Sequence, residues 1–404
     1  MEIGPITRAL FRNKLGVILI ALQIAFTMTV LINAVFIINE RNRMMGRPSG
    51  LEEANLFHFY SVGFGEEFNE SVVVEDDLRL LRQLPGVVNA TITNAVPVSS
   101  SGSSTGVRLV NDETQPSTGT AIYRVDEHAL DTMNLNLVAG ENFGASDMRT
   151  RSEAGATLAD VAVISQALAE ALYPDSELND IIGKTFFMPA GNELSIRGIV
   201  ETLQAPWPTS SLIERSMMVP ENFIDGYSMY LVRTEPGERD RVMAEIEDLL
   251  ATSNPNRVIR DLRSLEQTRE GTFRVDSALS TILWVIISTL VFITSMGIVG
   301  LAVFGINRRR KQIGTRRALG ATRFEILRYF MLENLIISAG GVALGAILTI
   351  AFSMFLTTNF NMPSMGWYYT PLGMLLLVLV GQAAVFGPSR GASRIEPAIA
   401  TRSV

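Results

Sequence analysis

Ser277–Lys311 reads SALSTILWVIISTLVFITSMGIVGLAVFGINRRRK, a run free of Asp, Glu, Lys and Arg as far as Asn307 and closed by four consecutive basic residues. About 20 apolar residues in a helix cross a bilayer core, so this stretch predicts a membrane span. Two further charge-free gaps, Leu15–Asn39 and Asn334–Ser389, flank it in the chain. The first holds one span. The second holds two, interrupted at Thr357–Thr370 (TTNFNMPSMGWYYT) by Pro363, Gly366 and several polar residues. The expected fold class is an α-helical membrane protein with four transmembrane helices, at 15–38, 278–306, 335–356 and 371–387. A large α+β extracytoplasmic domain, 39–277, is inserted between helices 1 and 2.

Charge predicts the orientation. The N-terminal segment 1–14 carries Arg8, Arg12 and Lys14; the segment 307–334 carries Arg308, Arg309, Arg310, Lys311, Arg316, Arg317, Arg323 and Arg328; the tail 388–404 carries Arg390, Arg394 and Arg402. Against these 14 of the 34 basic residues stand only Glu2, Glu325, Glu333 and Glu396, a net of +10, which leaves −17 for the inserted stretch in a chain of −7. Short basic segments stay cytoplasmic, so both termini and 307–334 are expected inside and the acidic domain outside. The loop 357–370 is uncharged, and its Trp367, Tyr368 and Tyr369 suit the outer membrane interface. The first helix is longer than a signal-peptide core and is followed by Glu40-Arg41-Asn42-Arg43 rather than small residues, which predicts a retained anchor. There is no cysteine, hence no disulfide; a domain of this size buries enough surface without one.

Within the insert, β-rich runs recur at Ser71–Val74, Val87–Thr93, Gly106–Val110, Ala121–Val125, Val161–Ile164, Ser195–Val200, Ser216–Val219 and Ser228–Val232. Helical patterns interleave at Glu75–Leu84, Ser165–Leu172 and Arg239–Leu250. Ser99–Gly106 (SSSGSSTG) reads as a flexible loop. Leu262–Asp276 reads as a polar helix running into the second span.

The segment Arg308–Glu333, RRRKQIGTRRALGATRFEILRYFMLE, closely resembles the cytoplasmic signature of MacB/FtsX-like permeases of ABC transporters, which runs close to R-x-x-E-I-G-I-R-R-A-L-G-A-T/S-x-x-x-I…E. Gln312 replaces the customary acid and Thr315 the customary aliphatic. The insert resembles the MacB-type periplasmic core domain at Leu84-Pro85-Gly86-Val87, Val138–Phe143, Val163-Ile164-Ser165 with Ala167-Leu168-Ala169, Ile182-Gly183-Lys184-Thr185 and Ile196–Val200, and Pro388–Ala400 resembles the family's closing motif. The resemblance implies a periplasmic insert of two subdomains and a permease that pairs with a second copy or a relative in the bacterial inner membrane. It also implies a dimer of cytoplasmic ABC ATPase subunits docked on the basic segment. Expected ATPase-coupling residues are Ile313, Gly314, Arg316, Arg317, Ala318, Leu319, Gly320, Ala321, Thr322 and Arg323. Gly314 and Gly320 would turn the chain, while Ala318 and Leu319 would enter a cleft on the partner with arginines around it. The alternative is that these arginines only anchor the topology. Gly297, Gly300, Gly341 and Gly345 are expected at helix contacts, the last two as a GxxxG pair.

Other signals are weak. Gly183-Lys184-Thr185 lacks the Gly of a phosphate-binding loop at Leu178, so the ATPase is expected on a separate subunit. His58 and His128 lack metal spacing, and no catalytic residues, cofactor, metal or nucleic-acid partner is expected. Asn69-Glu70-Ser71 and Asn89-Ala90-Thr91 match glycosylation acceptors by chance. No ionisable residue falls mid-span, which argues against an ion pathway. The family reading implies mechanotransmission: ATP-driven closure moves the helices as levers and rearranges the outer domains. Efflux of a peptide, antibiotic or lipid-like substrate, with a periplasmic adaptor and outer-membrane duct, leads over lipoprotein release and over an FtsX-like regulatory scaffold acting on a cell-wall hydrolase.

Overall fold

The structure, a computed structural model, describes residues 14–152, 155–156, 158–210, 212–224, 226–360 and 362–395. Expectations placed on Glu2, Arg8, Arg12 and the tail from Glu396 lie outside them. The chain forms two compact units, one from the N-terminal stretch through Arg43 together with Asp276 onward, the other from Met44 to Val275.

Helix α1 (Lys14–Met45) precedes the insert. The insert then runs β1 (Leu56–Gly63), α2 (Glu70–Gln83), β2 (Val87–Ile92), β3 (Ser103–Val107), β4 (Thr118–Arg124), α3 (Ala129–Met133), β5 (Leu137–Gly140), β6 (Arg149–Ser152), β7 (Gly155–Ala156), β8 (Val161–Ser165), α4 (Gln166–Leu172), α5 (Leu178–Ile181), β9 (Thr185–Phe187), β10 (Glu193–Val200), β11 (Ser216–Val219), β12 (Glu221–Ile224), β13 (Tyr227–Thr234), α6 (Arg239–Ser253), β14 (Arg257–Ser264) and α7 (Leu265–Thr272). A four-stranded antiparallel sheet has the order β14–β1–β13–β2. Phe57, Phe59, Tyr230 and Val232 alternate onto one face, where they pack beneath Leu78 and Leu81 of α2 and Val242, Ile246 and Leu250 of α6. A mixed sheet has the order β3–β4–β11–β8–β10–β5, with β9 on β10, and buries Ile164, Phe186 and Ile199 against Leu168 and Leu172 of α4. A third core joins the sheets: Leu56, Met229 and Leu231 of the first meet Tyr123, Val163 and Met218 of the second. The two sheets therefore share one interior.

A buried ion pair ties the first sheet to its helices. Arg257 of β14 and Asp77 of α2 are paired with side chains 0% and 1% exposed. The Tyr230 hydroxyl donates to the same carboxylate oxygen at 2.8 Å, and Arg257 donates twice to the Leu250 carbonyl, at 3.0 and 2.6 Å. Hydrogen bonds of this kind offset part of the cost of taking two charges out of water.

Several local readings are corrected here. Ser71–Val74 is helical: Asn69 caps α2 by accepting from the Val72 amide, and Val73 and Val74 lie on the buried face, so tertiary burial overrides β-branched propensity. The serine-rich loop is partly strand, because Ser103–Val107 pairs with Thr118–Ile122 through backbone bonds that need no particular side chain. That strand stops at Val107, leaving Arg108 only a bridge to Phe187. Leu262–Ser264 belongs to β14; the helix begins after Ser264, which forms a capping box with Gln267. β1 and β14 themselves carried no strand expectation.

The second unit holds α1, α8 (Arg274–Arg308), α9 (Arg310–Ala318), α10 (Arg323–Phe360) and α11 (Tyr369–Ser393). Among the described residues, α1, α8, α10 and α11 are long and apolar enough to cross a membrane. α10 is one continuous helix from Arg323, so the expected third span is its inner part, and α11 continues through Pro388. Glycines seat α1 against all three partners. A Cβ on Gly341 would lie 2.9 Å from Ile24 Cβ, one on Gly345 2.9 Å from Met28 Cβ, one on Gly297 2.7 Å from Gln23 Oε1, and one on Gly373 2.3 Å from Ile32 Cδ1. Missing side chains let the helix backbones approach closely. Gly300 is a correction: it faces open space, being turned about 60° around α8 from Gly297.

Candidate functional site

The basic segment folds into a tight helical hairpin. α8 stops at Arg309, whose backbone (φ −105°, ψ 13°) leaves the helical path while its amide still bonds back to Gly305 and Ile306. α9 follows at once. Its end is closed by Leu319 N–H donating to the Thr315 carbonyl, and Gly320, at φ +97°, reverses the chain. Thr322 and Glu325 then form a reciprocal capping box: Glu325 N–H donates to Thr322 Oγ1 at 3.2 Å, and Thr322 N–H to the Glu325 carboxylate at 2.7 Å. The T-x-x-E spacing of Thr322 and Glu325 is a helix-start signal in the sequence that carried no expectation.

One side of the hairpin is closed. Ile306, Ile313, Ile326, Phe330 and Ala392 form a small buried core shared by α8, α9, α10 and α11. Arg309 donates to Glu333 at 2.9 Å and to the Tyr329 hydroxyl at 3.3 Å. The Arg316 guanidinium lies 5.2 Å from the Tyr329 ring centre, a cation–π contact. Arg317 donates to the Ala321 carbonyl at 2.9 Å, bracing the turn.

The other side is open. Leu319 is 83% exposed and Phe324 68%, on either side of the Gly320 turn. Thr315, Arg316, Ala318, Gly320, Thr322 and Arg323 are exposed around them, Arg317 and Ala321 half-buried. An exposed Leu319 and Phe324 at one turn, with Arg316, Arg317 and Arg323 close by in the chain, is thus the feature this segment presents. Two expectations change. Ile313 belongs to the closed core, and Gly314 makes no turn: it sits buried inside α9, where unbroken helix leaves no bend to accommodate. Phe324, Tyr329 and the Arg309–Glu333 pair were not singled out as site residues.

Among the described residues, no group of three or more His, Cys, Asp or Glu is arranged to hold a metal ion. His58 is buried on β1, its Nε2 2.7 Å from Thr268 Oγ1, and burial, helped by Arg263, lowers its pKa from the ordinary 6.5 to about 4.

The chain matches two family profiles: FtsX-like permease C-terminal over residues 284–397, and MacB-like periplasmic core domain over residues 15–249. It is an ABC-transporter-type permease with an inserted extracytoplasmic core domain. The protein belongs to the MacB/FtsX-like permease family.

Among its relatives is the macrolide export ATP-binding/permease protein MacB of Mannheimia succiniciproducens, 22% identical over 96% of this chain and 59% of that protein. The chain thus spans little more than half the length of that relative. The uncharacterized ABC transporter permease YknZ of Bacillus subtilis is 22% identical over 82% of this chain and 80% of that protein. Solved structures similar to it include the periplasmic region of MacB from Actinobacillus actinomycetemcomitans, at 14% identity and TM-score 0.35, covering 57% of this chain and 97% of that one. The extracellular domain of YknZ aligns at 16% identity and TM-score 0.33, covering 50% of this chain and all of that one.

Proposed function

We propose that this chain is the permease subunit of an export system, and that the hairpin around Leu319 is where a separate cytoplasmic ABC ATPase docks. The observation that carries this is the combination at one turn of an 83%-exposed Leu319, an exposed Phe324 and neighbouring arginines, braced by a closed apolar core. Exposed leucine and phenylalanine beside charge are costly in water and favourable in a partner's cleft, with arginines pairing at its rim. Because α9 and the start of α10 are packed on the ends of α8 and α11, force applied to the hairpin moves the membrane helices as rigid levers. In this reading two permease chains and two ATPases work together, and the stroke acts on a partner or cargo outside the membrane. Export is favoured because the inserted domain matches the MacB-like core and relatives are named as macrolide exporters; an adaptor and duct would complete the path.

The reading places the hairpin inside the cell and the domain 44–275 outside. Since the chain has no cysteine, Glu66→Cys and Thr315→Cys each offer one thiol; an impermeant reagent on spheroplasts labels the first only, and labelling of the second only reverses the orientation. Docking is tested by Leu319→Asp, which forces a carboxylate into the cleft and costs several kcal/mol, on the order of an unpaired buried charge. Co-purification with the ATPase and stimulated ATP turnover should both fall at least tenfold at unchanged expression, whereas Arg323→Ala, a rim charge, should cost about 1 kcal/mol or less. Wild-type values for Leu319→Asp would reduce the basic segment to a topology anchor.

A further inference from the structure

Behind the hairpin, the helix bundle forms a partly open cavity of about 50 Å³ lined by Ala302, Gly305 and Arg309 of α8, Glu333 and Asn334 of α10 and Val385 of α11, among others. Its walls are mostly apolar, but its polar groups are arranged unusually. Asn334 is 6% exposed and its Nδ2 has no hydrogen-bond partner among the described residues. Ser338, one turn on and 0% exposed, has an equally unpartnered Oγ. The two atoms converge beside Gly381, lying 3.5 and 3.1 Å from where a Cβ on that glycine would stand. The Arg309–Glu333 pair, with side chains 22% and 14% exposed, closes the hairpin end of the same cavity.

A buried amide donor without a partner, on a residue that lines the cavity beside an ion pair, calls for a small ligand that accepts a hydrogen bond. A volume of this size takes on the order of three water molecules. We propose that this cavity is a hydrated site at the hairpin end of the membrane bundle, with water held between Asn334 and the Arg309–Glu333 pair. An unpaired donor in hydrocarbon is strongly unfavourable, and water removes that cost while an apolar filling would not. The water also gives the bundle an exchangeable polar contact where it borders the hairpin. Phe330 lines this cavity and belongs to the hairpin core as well. Helix α10 can therefore shift against α8 and α11 by trading hydrogen-bond partners instead of tearing dry packing. The hydration itself does not depend on the ATPase-docking reading.

The native chain has no cysteine, so single thiols report their own surroundings. Ala302→Cys lines the cavity, whereas Val303→Cys lies at the same depth on the 42%-exposed outer side of α8. The full chain is reconstituted in phosphatidylcholine–phosphatidylglycerol vesicles and treated with a small charged methanethiosulfonate, whose sulfur is attacked by the thiolate with methanesulfinate leaving, so that the rate reports water at the cysteine. Ala302→Cys should react at least about tenfold faster than Val303→Cys. Adding Asn334→Leu, which removes the anchoring donor and fills space, should bring the Ala302→Cys rate down to that of Val303→Cys. Equal rates in the two single variants would mean a dry cavity and overturn the proposal. A rate at Ala302→Cys unchanged by Asn334→Leu would overturn the assignment of Asn334 as the water's anchor.

Discussion

The two units bury polar groups on different terms. In the insert, Asp77, Tyr230 and Arg257 form a network that joins two helices and two strands: Arg257 of β14 bonds to Asp77 of α2 and the Leu250 carbonyl of α6, and Tyr230 of β13 donates to Asp77. In the membrane unit, buried polar contacts are sparse: Thr27 and Thr294 share one hydrogen bond of 2.7 Å, Asn33 bonds back to Thr29, and Ser338, Thr349 and Ser389 keep hydroxyls without a partner among the described residues. The difference follows from the reference state. The insert unfolds into water, so every buried charge is measured against full hydration. A membrane helix pulled from its neighbours remains in lipid with its own backbone bonds intact, so losing one side-chain contact changes less. The insert is thus locked by polar networks over dense apolar cores, and the bundle is held by close glycine contacts that leave room to slide.

The largest expected effect breaks the lock. Asp77→Ala strands Arg257 in the interior and should cost about 3–5 kcal/mol. With Trp284 and Trp367 changed to Phe, Trp207 reports on the insert alone, and its denaturant midpoint should fall steeply; the double variant Asp77→Leu with Arg257→Met should recover most of the loss. If the single variant unfolds at the wild-type midpoint, the network is not what holds α2 to the sheet.

Next in size is acid. His58 has its folded pKa depressed to about 4 from 6.5, so the unfolded chain binds the extra proton first. Its contribution is intact above pH 6.5 and is lost as the pH falls from there toward 4, by about 3 kcal/mol in all. The same Trp207 measurement in His58→Gln should lose that part of the acid dependence; an unchanged pH profile would assign the dependence to carboxylates instead.

The smallest effect sharpens the contrast. Thr27→Val deletes the hydrogen bond to Thr294 and should cost only about 0.6 kcal/mol in mixed-micelle unfolding followed at Trp284. A loss as large as that of Asp77→Ala would show that the bundle depends on its polar contacts as heavily as the insert does.

What the sequence determined by itself is the set of apolar spans, the inserted α+β stretch, the concentration of basic charge between the second and third spans, and the signature that carries the family. These follow from local composition, because the length of an uncharged run and the sign of a short segment need no partner to be read. The tertiary structure alone decided the rest. It turned Ser71–Val74 into helix, because its valines are needed on a buried face. It drew Leu56–Gly63 and Arg257–Ser264 together as neighbouring strands across two hundred residues of chain, a pairing set by backbone hydrogen bonds and a shared core. It buried Gly314 and Ile313 while leaving Leu319 in the open, and it set Arg309 on Glu333. Each of these depends on which surface meets which, and that is fixed only when distant segments compete for the same interior.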